Sequence, residues 1–399
     1  MKTTFMRRSP LALCIVAAAA TAQADDARID QLEERINSLQ SDVRAAGQDR
    51  VRFNGFMSTG YSRASNDAGY DGVTETSEIQ SLTLFALQGR FEITDATSAT
   101  VQLLARGEED GRNDFETQLE WGYLTHRMDN GLRLRAGQMR MPVFMYSDSL
   151  DLGYAQPWAR SPNVVYDQIR LSSYTGGDAT YSYRLGNGQM RTQIFAGHSR
   201  DDLEAAGEVG EIELRNLVGG VVSWSDHTWT LRGVAARADT EYDFLTAEGE
   251  SREDFEGEFY GVGLEYDPGD FFVLSEVTRR EVQGTFSDTD SAYITGGYRI
   301  GSFTPYVTAA WIESQDDSER DSGVIADTDL PQSFLNEKRE DYSLGVRYDA
   351  MPGVALKADW THSRSFGQTD GGLDNNRDAQ GNVRFDHTNV YTVTLDAAF

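Results

Sequence analysis

Few residues in this chain have catalytic chemistry within reach. Its five histidines are His126, His198, His227, His362 and His387. His362-Ser363 is the one adjacent pair that could be read as base and nucleophile. Hydrolysis by such a pair needs an exposed serine, activated by a base that a third group orients. Here both residues sit in an alternating run, D-W-T-H-S-R, with no strained turn. There is no Gly-x-Ser-x-Gly, no metal-spaced cluster and no phosphate loop. The chain is therefore read as no enzyme, with no metal and no cofactor. An outer-membrane hydrolase remains the remote alternative.

The chain does carry ionic side chains at alternate positions. The first period-two run, R-V-R-F-N-G-F-M-S-T-G-Y-S, puts Val51, Phe53, Met57 and Tyr61 on one face and Arg52, Asn54 and Ser58 on the other. Phe85, Leu87, Phe91 and Ile93 then oppose Gln88, Arg90 and Glu92, and Val101, Leu103 and Ala105 oppose Gln102 and Arg106. Phe115, Thr117, Leu119, Trp121 and Tyr123 oppose Glu116, Gln118, Glu120 and His126. Leu132, Leu134 and Ala136 oppose Arg133 and Arg135. Such alternation marks half-buried strands. A soluble sandwich would turn its apolar face inward. The other face, with Arg52, Arg90, Arg106, Arg133, Arg135, Glu116 and Glu120, holds too many charges for a dry core. The apolar face therefore meets lipid and the charged face meets water. Trp121, Trp224, Trp229, Trp311 and Trp360 fall where interfacial girdles are expected.

The same pattern runs to the end of the chain. Short turns such as Gly186-Asn187-Gly188 and Met351-Pro352-Gly353 alternate with long acidic loops such as 315–338 and 367–383. The expected fold is all-β: a transmembrane antiparallel barrel of about sixteen strands, an even number that closes with both ends on one side. Mean hydropathy is -0.51, which excludes a helical membrane protein but not a barrel, whose apolar signal is diluted residue by residue.

Three regions follow. Residues 1–24 read as a signal peptide: Lys2, Arg7 and Arg8 precede an apolar core, and Ala22-Gln23-Ala24 sets cleavage between Ala24 and Asp25. The single cysteine, Cys14, falls inside it. Residues 25–47 read as a periplasmic coiled-coil segment, with Ile29, Leu32, Ile36, Leu39, Val43 and Ala46 on an a/d seam. About three heptads need neighbours held close by something else, and β-branched residues at a with leucine at d favour two strands rather than three. Residues 48–399 form the barrel. Loss of the three leader cations takes the net charge from -28 to -31. That excludes nucleic acid as a partner, since phosphates need a basic face.

One stretch breaks the alternation. Met139 to Gln168 holds Pro142, Pro157 and Pro162, three of eight prolines, together with Val143, Phe144, Tyr146, Leu150, Leu152, Tyr154 and Trp158. Proline cannot donate into a central strand. A loop this long and this apolar must pack against something. It is expected to fold back into the barrel as the third long loop and narrow the bore; the alternative is a loop that packs over the barrel mouth and plugs it.

The leader, the alternating strands, the third-loop position of G-Q-M-R-M-P-V-F-M-Y-S-D-S-L-D-L-G-Y-A-Q-P-W-A-R-S-P-N-V-V-Y and the terminal Phe399 resemble a Gram-negative trimeric porin. The internal run is similar to a gammaproteobacterial porin lineage with an N-terminal coiled coil, loosely related to phosphate-selective porins. The resemblance implies passive diffusion of small hydrophilic solutes and ions across the outer membrane, and Phe399 as a barrel-assembly signal. It also implies loop carboxylates facing wall arginines: Asp148, Asp151 and Asp167 against Arg52, Arg90, Arg106, Arg133 and Arg135. Opposed charges of this kind set a transverse field at the narrowest section. The acidic mouth predicts mild cation preference; the arginines motivate an anion- or phosphate-selective alternative. Expected partners are two further copies of the chain, outer-membrane lipid, lipopolysaccharide and, through the coiled coil, the cell wall.

Overall fold

The computed structural model describes residues 50–399 apart from 78, 80–81, 108–114, 170, 206–207, 247–248, 284–285, 316–331 and 379. The signal peptide, the Ala24/Asp25 cleavage site and the coiled coil lie outside the described residues.

Sixteen strands form one closed antiparallel barrel, each paired with its neighbours in sequence. They are β1 (Val51–Ala64), β2 (Leu84–Glu92), β3 (Thr97–Arg106), β4 (Thr117–Arg127) and β5 (Leu132–Arg140). Then come β6 (Ser173–Leu185), β7 (Gly188–Ala205), β8 (Glu208–Ser225), β9 (Trp229–Thr246), β10 (Gly249–Tyr266) and β11 (Phe271–Val282). The last five are β12 (Thr289–Tyr298), β13 (Phe303–Ser314), β14 (Lys338–Met351), β15 (Val354–Arg364) and β16 (His387–Ala398). β1 closes on β16 with Phe56 opposite Ala398 and Ala64 opposite Val390. The C-terminal Phe399 seals the seam: its N–H donates to the Gly55 carbonyl at 2.9 Å and its own carbonyl accepts from Gly55 at 2.8 Å.

Alternation sorts the two faces. Ile194 (63% exposed), Val262 (67%) and Leu344 (55%) look outward, while Ser62, Thr295 and Thr392 on the opposite face are buried. An apolar exterior over a polar interior is stable only with hydrocarbon outside.

The expected phasing fails in β4. The β3–β4 register shifts by one residue beside Glu120: Gln102 faces Trp121, but Leu103 faces Leu119. A bulge inserts one residue, and every side chain beyond it changes face. Leu119 and Leu124 point out, whereas Trp121 turns in and donates to Gln88 Oε1 at 3.3 Å. Trp121 is thus not a girdle residue. His126 goes outward to Thr97, and Arg127 comes inward level with Arg133.

The interior is not uniformly wet. The chain between β5 and β6 is the third long loop, here called L3, with short 3-10 turns at Ser147–Ser149 and Gly153–Ala155 and a one-turn helix at Asn163–Tyr166. Its Val143, Phe144, Trp158, Val164 and Val165 pack on inward-facing Phe195, Val221, Val234, Phe259, Leu274 and Tyr306 of β7–β13 in one buried cluster. Full burial of each large side chain is worth about 1.5–3 kcal/mol, so the loop is held by a core of its own. Gly345 on β14 gives the Tyr306 ring room; a Cβ there would collide with the ring itself.

Over the mouth, a second cluster joins the loop after β1 (Ala68, Tyr70, Val73) to the loop after β15 (Phe366, Leu373). The Tyr70 hydroxyl ties this lid to L3 through Asn163 Oδ1 at 3.1 Å and to the wall through Asp341 at 2.9 Å.

Candidate functional site: the L3 constriction

L3 crosses the bore and is pinned on both sides. At its root, Arg232 of β9 donates to the carbonyls of Pro142 and Val143, and Glu276 of β11 accepts the Met145 N–H at 2.7 Å. Tyr146 Oη donates to Glu265 at 3.0 Å, and Trp158 Nε1 to Thr295 at 2.8 Å. On the far side, Lys357 of β15 donates to the Gly153 carbonyl at 2.6 Å and the Trp158 carbonyl at 2.8 Å, and pairs with Asp396 at 2.9 Å. Arg347 of β14 donates to the carbonyls of Tyr154 at 2.6 Å and Gln156 at 2.9 Å. A loop backbone taken out of water must have its carbonyls satisfied, and here the wall supplies the donors.

Asp151 is the loop's main ionic contact with the wall. Its carboxylate meets Arg106 at 2.5 Å and Arg140 at 2.7 Å, and Arg140 also reaches Glu120 at 2.6 Å. Burial acts to raise its pKa, but the two guanidiniums outweigh burial and hold it well below the usual carboxylate range. A depressed folded pKa adds stability above the unfolded value, and that stability is lost only as pH falls through the folded value. The latch should therefore hold as pH falls from about 7 to the ordinary aspartate pKa of about 3.9, so Asp151 should add no pH dependence to the conductance over that interval. A steady drift across that interval in wild type, absent in Asp151→Asn, would contradict this.

The other residues singled out from sequence fall as follows. Asp148 is exposed on the L3 turn at Ser147–Ser149. Asp167 is exposed just after the one-turn helix. Arg52 is exposed on β1, and Glu116 is exposed just before β4. Arg90 pairs with Glu92 at 2.7 Å. Arg135 pairs with Asp178 at 2.6 Å and lies over the Tyr123 ring at 5.1 Å. Among the described residues Arg133 reaches only the Thr180 hydroxyl, at 3.2 Å. Asp151, Arg106 and Glu120 are thus brought together, and the remaining arginines are spread along the wall of β1–β6.

The sequence reading missed Arg232, Glu276, Arg347 and Lys357. The signal was present at Lys357: in A-L-K-A-D-W, Leu356 and Trp360 mark the lipid side, so Lys357 and Asp359 face in. His362 and Ser363 lie on opposite faces of β15; Ser363 is buried inside, while His362 bonds Asn389 at 3.0 Å on the outer face. They cannot act as base and nucleophile for one substrate. No group of three His, Cys, Asp or Glu side chains suited to a metal occurs among the described residues.

Among solved structures, the chain is similar to outer-membrane expressed OmpT of Vibrio cholerae, with 11% identity, TM-score 0.55, and 88% of this chain and 97% of that chain covered. It is similar to the anion-selective porin from Comamonas acidovorans (12%, 0.55, 88% and 99%) and to Salmonella typhi OmpF (11%, 0.55, 88% and 97%). At such identity the likeness establishes the fold: a sixteen-stranded barrel of the outer-membrane porin type. No protein-family model and no curated protein matches the chain.

Proposed function

We propose that this protein is an outer-membrane porin, a water-filled channel through which small hydrophilic solutes and ions diffuse passively. The observation that carries this reading is the placement of L3. It fills one side of the bore with a packed core and leaves exposed polar residues, among them Gln118, Arg127 and Arg191, on the wall of β4–β7. Solutes pass between that wall and the loop's Asp148, and L3 sets the size limit. Phe399 acts as the assembly signal, and three copies associate, as in the solved OmpT, which has a trimer form. Swelling of proteoliposomes tests this: a pentose should enter rapidly and a tetrasaccharide slowly. Equal exclusion of both would defeat it.

The net charge of -28 supports a mild cation preference. A second reading, anion preference, is supported by the inward Arg127, Arg133 and Arg191, none of which has a carboxylate at ion-pair distance among the described residues. The sign of the reversal potential in a potassium chloride gradient separates the two.

A further inference from the structure

We propose that the short-turn end of β4–β7 holds a binding site for a small multivalent oxyanion, built from Arg127, Arg133 and Arg191 with Arg184 at its edge. The proposal rests on the channel reading above and adds a ligand class and a sidedness to it.

The bulge at Glu120 brings Arg127 inward, and the β4–β5 register sets it directly opposite Arg133. Arg133 is opposite Thr180 on β6, and Ser182, two residues on, is opposite Arg191 of β7. β4, β5 and β7, with β6 and its Arg184 between the last two, thus present guanidiniums to one patch of lumen. Arg133 is close enough to Arg135 and Arg191 to be repelled by both. Asp178, the acid that acts on Arg133 among the described residues, is committed to Arg135 at 2.6 Å.

Two observations point to a ligand. Like charges on neighbouring strands destabilise a sheet unless something neutralises them. Further, among the described residues Arg133 Nε is buried with no hydrogen-bond partner, and its Nη2 has only the long bond to Thr180. An anion with several oxygens satisfies such a set, because guanidinium forks grip phosphate- or sulfate-like groups in pairs of parallel bonds. A monovalent halide can neutralise one arginine but cannot bridge three. The patch lies beside the β4–β5 and β6–β7 turns, at the end of the barrel away from the long acidic loops. An anion therefore reaches it easily from one side only.

The test uses the full-length assembled protein in a planar bilayer, with inorganic pyrophosphate added to one compartment at a time. Block is scored against each protein's own unblocked current. Pyrophosphate should block from one side only, and Arg133→Gln/Arg191→Gln should raise the half-blocking concentration by about tenfold, as expected for lost charge-assisted bonds. Arg133→Lys/Arg191→Lys keeps the charge and the fold but loses the fork, so it should weaken block by about threefold. Equal block from both sides, or wild-type block in either variant, overturns the site. A wild-type protein that conducts nothing overturns the channel reading instead.

Discussion

Replacing L3 residues 146–160 by a short glycine-serine linker should raise single-channel conductance roughly two- to threefold, since the loop is the obstruction in a bore that sixteen strands leave wide enough for water. The barrel itself should survive the excision, because its ladder closes through β1 and β16 independently of the loop. The excision also uncovers an apolar inner wall, Phe195, Val221, Phe259, Leu274 and Tyr306, that L3 now keeps dry. The variant should accordingly lose stability and bind apolar dyes. Planar-bilayer recordings measure the first effect; an unchanged conductance step would mean that L3 does not limit flow.

The second large effect is expected at Lys357. Its ammonium is buried, is paired with Asp396, and is the shared donor to two L3 carbonyls. Lys357→Met keeps the length and removes all three contacts. Asp396 keeps Ser58 at 2.6 Å and Thr394 at 3.2 Å but loses its cation. Breaking a buried pair by removing one partner costs about 3–5 kcal/mol. Part of that cost should appear as lower resistance to urea, and part as a looser L3, seen as flickering open-channel current. A quiet channel of wild-type stability would show that Lys357 does not hold the loop.

The sequence disclosed the barrel because lipid and water impose opposite demands on successive residues, and that demand is local. Strands such as V-A-L-K-A-D-W-T-H-S-R declare their faces without any neighbour. L3 was equally legible, since prolines and large apolar residues together fit no strand and no ordinary surface loop. Three other features depend on distant partners. The bulge at Glu120 is a matter of register with β3, so Trp121 and Arg127 could not be assigned to their faces from β4 alone. The inward apolar wall of β7–β13 looks like poor alternation until L3 is placed against it; F-F-V-L at the start of β11 is apolar on both faces for this reason. Asp151 was visible as a loop carboxylate, but its capture by Arg106 and Arg140 requires the fold.

Conduction requires that the ionic face of the strands meet water, and adjacent residues report this directly. In a background carrying Cys14→Ser, single cysteines at Arg191 and Ile194 of β7 should behave oppositely toward a charged, membrane-impermeant thiol reagent. Arg191→Cys should react quickly, and its current should fall in discrete steps, while Ile194→Cys in the same bilayer stays inert. Rapid labelling at position 194 with none at 191 would reverse inside and outside, and the channel with them.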